Sequence, residues 1–190
     1  MLRVLTRVSA LMGCLVSVAV PSAAQEVVHA LTGTVSSIDA AARTITVFQD
    51  NGTQGVYGVM SDPKTHLAFD KKVSAGTTAA AEFKQSGAYV IVFYFGSNRN
   101  PTVAAFKSLG AGPFTSTVGK IDKFDTHDHT ILVEDSTGKT QTYRIDANTI
   151  AETSFGVQEG LKARIQPGDQ VRVVSAASDG SQTALFLREM

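Results

Sequence analysis

Apolar and polar residues alternate in short runs along most of the chain, and turn sequences separate the runs. This period of two residues is typical of half-buried β-strands, because successive side chains of a strand point to opposite faces of a sheet. Asp50-Asn51-Gly52 and Ser178-Asp179-Gly180 are examples of the turn sequences, and such residues favour tight connections. The pattern predicts strands near residues 31–38, 43–49, 54–60, 88–95, 102–109, 114–122, 129–135, 139–146, 169–175 and 182–189.

Between the third and fourth predicted strands of each half, the periodicity changes. In the second half, Val157, Leu161 and Ile165 recur every four residues, and Pro167 follows them. Apolar residues at this spacing predict a short amphipathic helix that ends before the proline. The same interval of the first half, residues 75–84, is rich in alanine.

The chain contains one pattern twice. The corresponding landmarks are Val35 with Val118, Ile38 with Ile121, Asp39 with Asp122, Thr44–Val47 with Thr130–Val133, Tyr57 with Tyr143, and Gln85–Val92 with Gln166–Val173. We expect a Gly/Pro-containing linker, residues 111–113, to join a first domain, residues 25–110, to a second domain, residues 114–190. Three strands, a short helix and two strands is the order of an OB-like barrel, and closure pairs the strand edges of so small a domain. We therefore predict an all-β fold of two tandem five-stranded OB-like barrels, each with a short helix between strands 3 and 4.

These landmarks also resemble a family of exported bacterial domains of unknown function, commonly found in tandem. The shared pattern is G-x-V-x-x-[IV]-D, then T-[IV]-x-V, then a glycine turn, then G-D-x-V-x-V. It is present at Gly33–Asp39, Thr44–Val47, Asn51-Gly52 and Gly87–Val92, and again at Val118–Asp122, Thr130–Val133, Gly138 and Gly168–Val173. The first copy has Ala88 in place of Asp, and the second has Thr117 or Ser116 near the place of the opening glycine. The resemblance implies small OB-like barrels and export, and implies no activity.

The N-terminal segment has the features of a cleaved signal peptide. Arg3 and Arg7 precede an apolar stretch, and the small residues Ser22-Ala23-Ala24 suit a signal peptidase. We expect cleavage after residue 24 and a periplasmic or secreted protein. One alternative is a lipoprotein attached through Cys14, and another is a membrane anchor, for which the apolar run is shorter than the about 20 residues needed.

Composition excludes several classes of function. Lys and Arg together number 17, as do Asp and Glu, which is a poor charge balance for binding nucleic acid. The single cysteine, Cys14, belongs to the predicted signal, so the exported protein has no disulfide, thiolate nucleophile or thiolate metal site. No nucleophile elbow, phosphate loop, zinc-protease helix or dinucleotide fingerprint occurs. We expect no enzymatic activity and no resident cofactor.

The fourth predicted strand has an apolar outer face in the first half only. Its outward positions are Tyr89, Ile91, Phe93 and Phe95, whereas the second half has Gln170, Arg172, Val174 and Ala176 there. If the second set is a solvated face, the first must be covered, because contiguous exposed apolar patches are uncommon on soluble monomers. The candidates are the second barrel, a second copy or a protein partner, and a ligand such as a saccharide that stacks on the aromatic rings.

Two loops carry candidate binding residues. Asn98, Arg99 and Asn100 follow the aromatic strand at a loop that often binds ligands in OB folds. His127 and His129, with Asp125 or Asp122, lie between the first two strands of the second half, where aligning the copies gives a three-residue insertion relative to residues 39–43. Two imidazoles and a carboxylate are a donor set that divalent ions use in proteins. The same residue types also suit a solvated hairpin tip.

The sequence thus favours an exported, non-catalytic binding or interaction module of the bacterial envelope. A periplasmic divalent-metal-binding protein that uses His127 and His129 is the alternative. A third hypothesis is an enzyme whose polar cleft forms only between the two barrels.

Overall fold

The computed structural model describes residues 27–61, 71–96, 101–178 and 180–190. The fold is all-β, as predicted. The first half contains β1 (His29–Asp39), β2 (Thr44–Gln49), β3 (Gln54–Val59), the helical turn α1 (Lys71–Ser74), β4 (Thr77–Ala79), β5 (Tyr89–Phe95) and β6 (Thr102–Ser108). The second half contains β7 (Phe114–Asp125), β8 (Thr130–Asp135), β9 (Thr140–Thr153), β10 (Gly156–Glu159), a 3-10 turn (Gly160–Lys162), β11 (Gln170–Ser178) and β12 (Ser181–Glu189).

The strands form two sheets in which five strands have the same connectivity, whereas the sixth strand, β4 or β10, pairs at a different place. The first has the order β3-β2-β1-β5-β6-β4, and β3 also pairs with β6, so five of its strands close into a barrel. The second has the order β10-β9-β12-β11-β7-β8, and β9 also pairs with β8, so that β7, β8, β9, β12 and β11 form a ring. The pairs β3–β6 and β9–β12 are parallel. Each of the five strands in a ring pairs with a neighbour on both sides, so the ring itself has no exposed edge.

The predicted amphipathic helix of the second half is not confirmed. Val157 belongs to β10, which pairs with β9, and Leu161 belongs to the 3-10 turn. Gly156 has a φ of 93°, a left-handed conformation that an α-helix does not contain. Leu161 and Ile165 still pack on the core of the second barrel, so their burial needs no helix. In the first half, residues 75–84 contain the short strand β4, and the four-residue helical turn α1 directly precedes them.

The registers of the first hairpins correct the sequence alignment. Gly33 lies opposite Gln49 on β2, and Gly119 lies opposite Asp135 on β8. At both glycines, an added Cβ would collide with the carbonyl oxygen of the facing strand. Gly119 therefore corresponds to Gly33, and the alignment that paired Val35 with Val118 is wrong by three residues. Val118 is 42% exposed, whereas Val35 is fully buried.

This correction removes the apparent insertion before β8. The hairpin turns 40–43 and 126–129 have the same length, and Arg43 and His129 at their ends have φ values of 54° and 53°. Asp39 and Asp125 accept hydrogen bonds from Ala42 N and Asp128 N at 2.8 and 2.9 Å. The two turns are therefore built in the same way.

Each barrel has its own apolar core. The first includes Val35, Ile45, Val47, Val90, Val92 and Phe106. The second includes Ile121, Ile131, Val133, Val171, Val173 and Leu187. The inward orientation predicted for alternate positions of β5 and β11 is present at these valines.

Candidate functional site

The outer face of β5 is covered by the second half of the chain. Ile91 and Phe93 are fully buried in a third apolar cluster. This inter-barrel cluster also contains Ala30, Val73, Ala105, Ile150, Val174 and Phe186. Tyr89 stacks on Phe114 of β7 with ring centroids 4.9 Å apart. Ile91 and Phe93 therefore stabilise the contact between the barrels and are not open to an external ligand.

The corresponding face of β11 is solvated only at Gln170, contrary to the expectation from sequence. Val174 is fully buried in the inter-barrel cluster, and Arg172 is half-buried. The two outer faces thus cover each other. Phe95 is half-buried, and Asn98, Arg99 and Asn100 lie outside the described residues, as does the predicted signal peptide.

His127 and His129 lie at an exposed hairpin tip, and Asp122 is exposed on β7. The Asp125 carboxylate is already engaged: its Oδ1 accepts from His127 N at 3.0 Å, and its Oδ2 lies 2.8 Å from Lys123 Nζ. The Lys123 hydrogen bond and the turn N–H groups lower the pKa of Asp125 to about 2. Among the described residues, no three His, Cys, Asp or Glu side chains are grouped so that they could hold a metal ion.

Two adjoining clefts lie beside the inter-barrel cluster. We name the first the arginine cleft; it has a volume of about 350 Å³, and its lining includes Thr32, Asp50, Asn51, Arg172, Arg188 and Glu189. We name the second the histidine cleft; it has a volume of about 640 Å³, and its lining includes His29, Tyr94, Glu152, Thr153, Arg188 and Glu189. Both halves of the chain contribute to each cleft, and Arg188 and Glu189 line both.

A buried carboxylate links the two halves at the histidine cleft. Glu152 of β9 accepts a hydrogen bond from Ala30 N of β1 at 2.5 Å, and its other oxygen lies 3.0 Å from His29 Nδ1. The Glu152 side chain is only 7% exposed. Burial raises its pKa, while Arg188, the Ala30 N–H group and His29 oppose this shift by favouring the carboxylate. Both carboxylate oxygens of Glu152 thus contact groups of the first half, which ties the two halves together at this cleft.

Beside His29, aromatic rings pack in a row that leads into the first barrel. The Tyr94 ring lies 5.7 Å from His29 and 5.6 Å from Tyr57, measured between centroids. Gln49 Nε2 donates to the Tyr57 hydroxyl at 2.9 Å. Burial raises the pKa of Tyr57 to about 12 and also raises that of Tyr94, whereas Arg188 lowers both. The tyrosine hydroxyls are therefore neutral polar groups at physiological pH.

The second acid of the site, Asp50, is held within the first half. Its Oδ2 accepts from Thr32 Oγ1 at 2.6 Å and from the Tyr89 hydroxyl at 2.5 Å. Burial and Asp50 together raise the pKa of Tyr89. The third acid, Glu189, accepts from Ser154 N at 2.8 Å through Oε2. Each acid that lines the clefts thus has a protein donor.

Two arginines stand side by side in the arginine cleft. Arg172 of β11 lies directly opposite Arg188 of β12 in the antiparallel register. Arg188 also lies opposite Glu152 in the parallel β12–β9 register. Both arginines are half-buried. Within the described part of the chain, neither guanidinium group has a carboxylate oxygen within 4.0 Å.

Sequence reasoning missed this site. It assigned Arg172 to a solvated face and did not single out His29, Glu152 or Arg188. The period of two does place Arg172 and Arg188 outward on their strands, and that signal was available. The partners of His29 and Asp50 depend on which outer faces of the barrels meet, and no local pattern contains that information.

Comparisons with known proteins give little further information. No family model and no curated protein matches the chain. Two solved structures are similar to part of it, a crystal structure of Ag(I)CusF and a 1.5 Å structure of apo-CusF residues 6–88 from Escherichia coli. Each is 13% identical with a TM-score of 0.33; they cover 41% and 44% of this chain and 99% and 94% of their own chains. Likeness of this degree says nothing about what this chain binds.

Within the ranges that the structure describes, no helix is both long and apolar enough to cross a bilayer.

Proposed function

We propose that this chain is an exported, non-catalytic binding module, built from two tandem OB-like barrels, whose ligand lies in the clefts between them. The observation that carries the proposal is the pair of adjoining clefts lined by polar side chains of both halves. Their volumes of about 350 and 640 Å³ lie in the range of small-molecule sites. The N-terminal signal pattern supports export, and the common strand order of the two sheets supports the tandem OB-like assignment.

The hydrogen-bond partners of the acids suit a binding role. Both oxygens of Glu152 accept hydrogen bonds from His29 and Ala30, and Oδ2 of Asp50 accepts two. These carboxylates hold neighbouring donors in place, which suits recognition of a ligand of fixed shape.

The inter-barrel cluster supports a preformed site. Ile91 and Phe93 of the first half and Val174 and Phe186 of the second are fully buried in it. Burial of this apolar surface fixes the barrels against each other, so the cleft walls need little ordering when a ligand binds. The ligand class that these walls fit is a small polar molecule such as a saccharide, a short peptide segment or a small anion.

The proposal is tested by titrating the purified, ¹⁵N-labelled protein with glucose, N-acetylglucosamine, trialanine and inorganic phosphate. We expect at least one probe to shift the amide signals of cleft residues such as Thr32 and Glu189. Asn51→Trp should reduce these shifts, because Asn51 lines the arginine cleft. The matched control is Thr137→Trp, at the same position of the equivalent turn in the second half. Shifts at no cleft residue, or equal effects of the two variants, would contradict the proposal.

A further inference from the structure

The arginine cleft brings two like charges together on neighbouring strands. Arg172 and Arg188 are register partners in the β11–β12 pair and line the same cleft. Like charges directly opposite each other in a sheet are destabilising. Both side chains are half-buried, so solvent screens their repulsion less than it would at an exposed pair.

The acids of the cleft do not pair with these arginines. Asp50 accepts from Thr32 and Tyr89, Glu189 accepts from Ser154, and Glu152 accepts from Ala30 and interacts with His29. Among the described residues, no carboxylate oxygen lies within 4.0 Å of either guanidinium group. Arg188 favours the charged forms of Glu152 and Tyr94, against the effect of burial on the pKa of each, and it also forms a hydrogen bond with the Tyr94 side chain. A guanidinium group has five N–H donors, so Arg188 keeps donors for a ligand beside its bond to Tyr94, and Arg172 has no carboxylate partner among the described residues.

We propose that the arginine cleft binds the oxyanion of a small carboxylate or phosphate compound between the guanidinium groups of Arg172 and Arg188, an inference that rests on the proposed function of the clefts. Guanidinium groups present donors in a planar fork that matches carboxylate and phosphate oxygens. A bound anion also relieves the repulsion between the two arginines.

The surrounding acids limit the class of anion. Asp50, Glu152 and Glu189 line the two adjoining clefts, so a ligand with several negative charges meets repulsion from the walls. A volume of about 350 Å³ accommodates one compact group. The ligand therefore carries a single oxyanion on an otherwise neutral or polar body, and a polyanion does not fit these walls.

The test compares sodium acetate and sodium phosphate with sodium chloride at matched ionic strength, using the ¹⁵N-labelled protein. We expect acetate, phosphate or both to shift the amide signals of Thr32, Arg172 and Arg188 in a saturable way, whereas chloride does not. The anion that saturates the shifts at the lower concentration, acetate or phosphate, identifies the preferred oxyanion. Arg172→Gln and Arg188→Gln should each weaken binding by about tenfold, and Arg172→Lys should weaken it less because the charge remains.

Arg144→Gln is the matched control. It makes the same charge change on β9 at an exposed position outside both clefts, so it should leave the affinity unchanged. Without ligand, Arg172→Gln should melt at the same temperature as the wild type or higher, because one repelling charge is gone. A clearly lower melting temperature would indicate a structural role for the arginine and overturn the proposal.

Other outcomes separate this inference from the proposed function. If neither acetate nor phosphate saturates while glucose or trialanine still shifts the cleft amides, the oxyanion inference is wrong and the binding module remains. If no probe shifts these signals, both are wrong. Equal weakening by Arg144→Gln and Arg172→Gln would show general charge attraction and would also overturn the oxyanion site.

Discussion

At the scale of single residues, the acidic side chains of the site form hydrogen bonds with donors of the protein itself. Glu152 is buried at the contact between the halves, and an unpaired carboxylate there would be strongly unfavourable. The Ala30 N–H group and His29 satisfy it across the interface. Arg188, the neighbour of Glu152 in the sheet register, also favours the carboxylate electrostatically. Groups from both halves thus compensate the burial of this acid.

Tyr57 gives a prediction about pH. Burial raises its pKa to about 12, above the value of about 10 expected in the unfolded chain. Since the folded-state pKa is raised, the stabilising contribution of the neutral hydroxyl is complete below pH 10 and is lost as the pH rises from about 10 to 12. We expect the free energy of unfolding of the wild type to fall across this window by more than that of Tyr57→Phe.

The measurement is urea unfolding at pH 8 and at pH 11, together with tyrosinate absorbance at 295 nm. The phenylalanine ring keeps the packing against Tyr94 but cannot ionise, so Tyr57→Phe should lose an ionisation near pH 12 from the absorbance curve. Loss of an ionisation near pH 10 instead would show that the Tyr57 hydroxyl is not buried in solution.

At the scale of elements, the strands were predictable because their periodicity is local. Alternation and glycine turns place all ten predicted strands within a few residues of the observed ones, although β7 and β9 extend further. The three-residue error at β7 arose because Val118-x-x-Ile121-Asp122 and Ile121-x-x-Phe124-Asp125 both fit the pattern of Val35-x-x-Ile38-Asp39. A shift of an odd number of residues exchanges the two faces of a strand. The constant spacing from Gly33, Thr44 and Tyr57 to Gly119, Thr130 and Tyr143 was the signal that distinguishes them.

The helix and the clefts were less predictable for a different reason. The spacing of Val157, Leu161 and Ile165 is compatible with a helix, but the pairing of β10 with β9 determines the backbone there. The clefts depend on contacts between residues as distant in sequence as His29 and Glu152. Local patterns describe which face of a strand is apolar, and they do not identify the surface that covers it.

The structure of the β7–β8 hairpin gives a prediction about metal binding. We expect calorimetry with Zn²⁺, Cu²⁺ and Ni²⁺ to detect no submillimolar site that depends on His127 and His129. Both histidines are exposed, and the Asp125 carboxylate is bonded to the turn and to Lys123, so a fixed third ligand is missing from the tip. The variant for comparison is His127→Ala/His129→Ala. Submillimolar binding that this double change abolishes would favour the metal-binding function.

At the scale of the whole molecule, the outer faces of the two barrels pack against each other. Each barrel has its own core, and the inter-barrel cluster adds a third that neither half completes alone. The walls of both clefts come from opposite sides of this cluster, so their geometry depends on the contact. Damage to the cluster should therefore affect stability and the clefts together.

Phe93→Lys is the direct test of this dependence. Phe93 is fully buried between the barrels, and an unpaired ammonium group there combines the loss of apolar contacts with the burial of a charge. We expect the free energy of unfolding to fall by at least about 3 kcal/mol, with sedimentation velocity showing a more extended molecule. Phe48→Lys is the matched control, since Phe48 on β2 is 53% exposed and its replacement should change stability by less than about 0.5 kcal/mol. If both variants unfold at the wild-type urea concentration, the barrels do not depend on this contact, and a ligand site between them loses its structural basis.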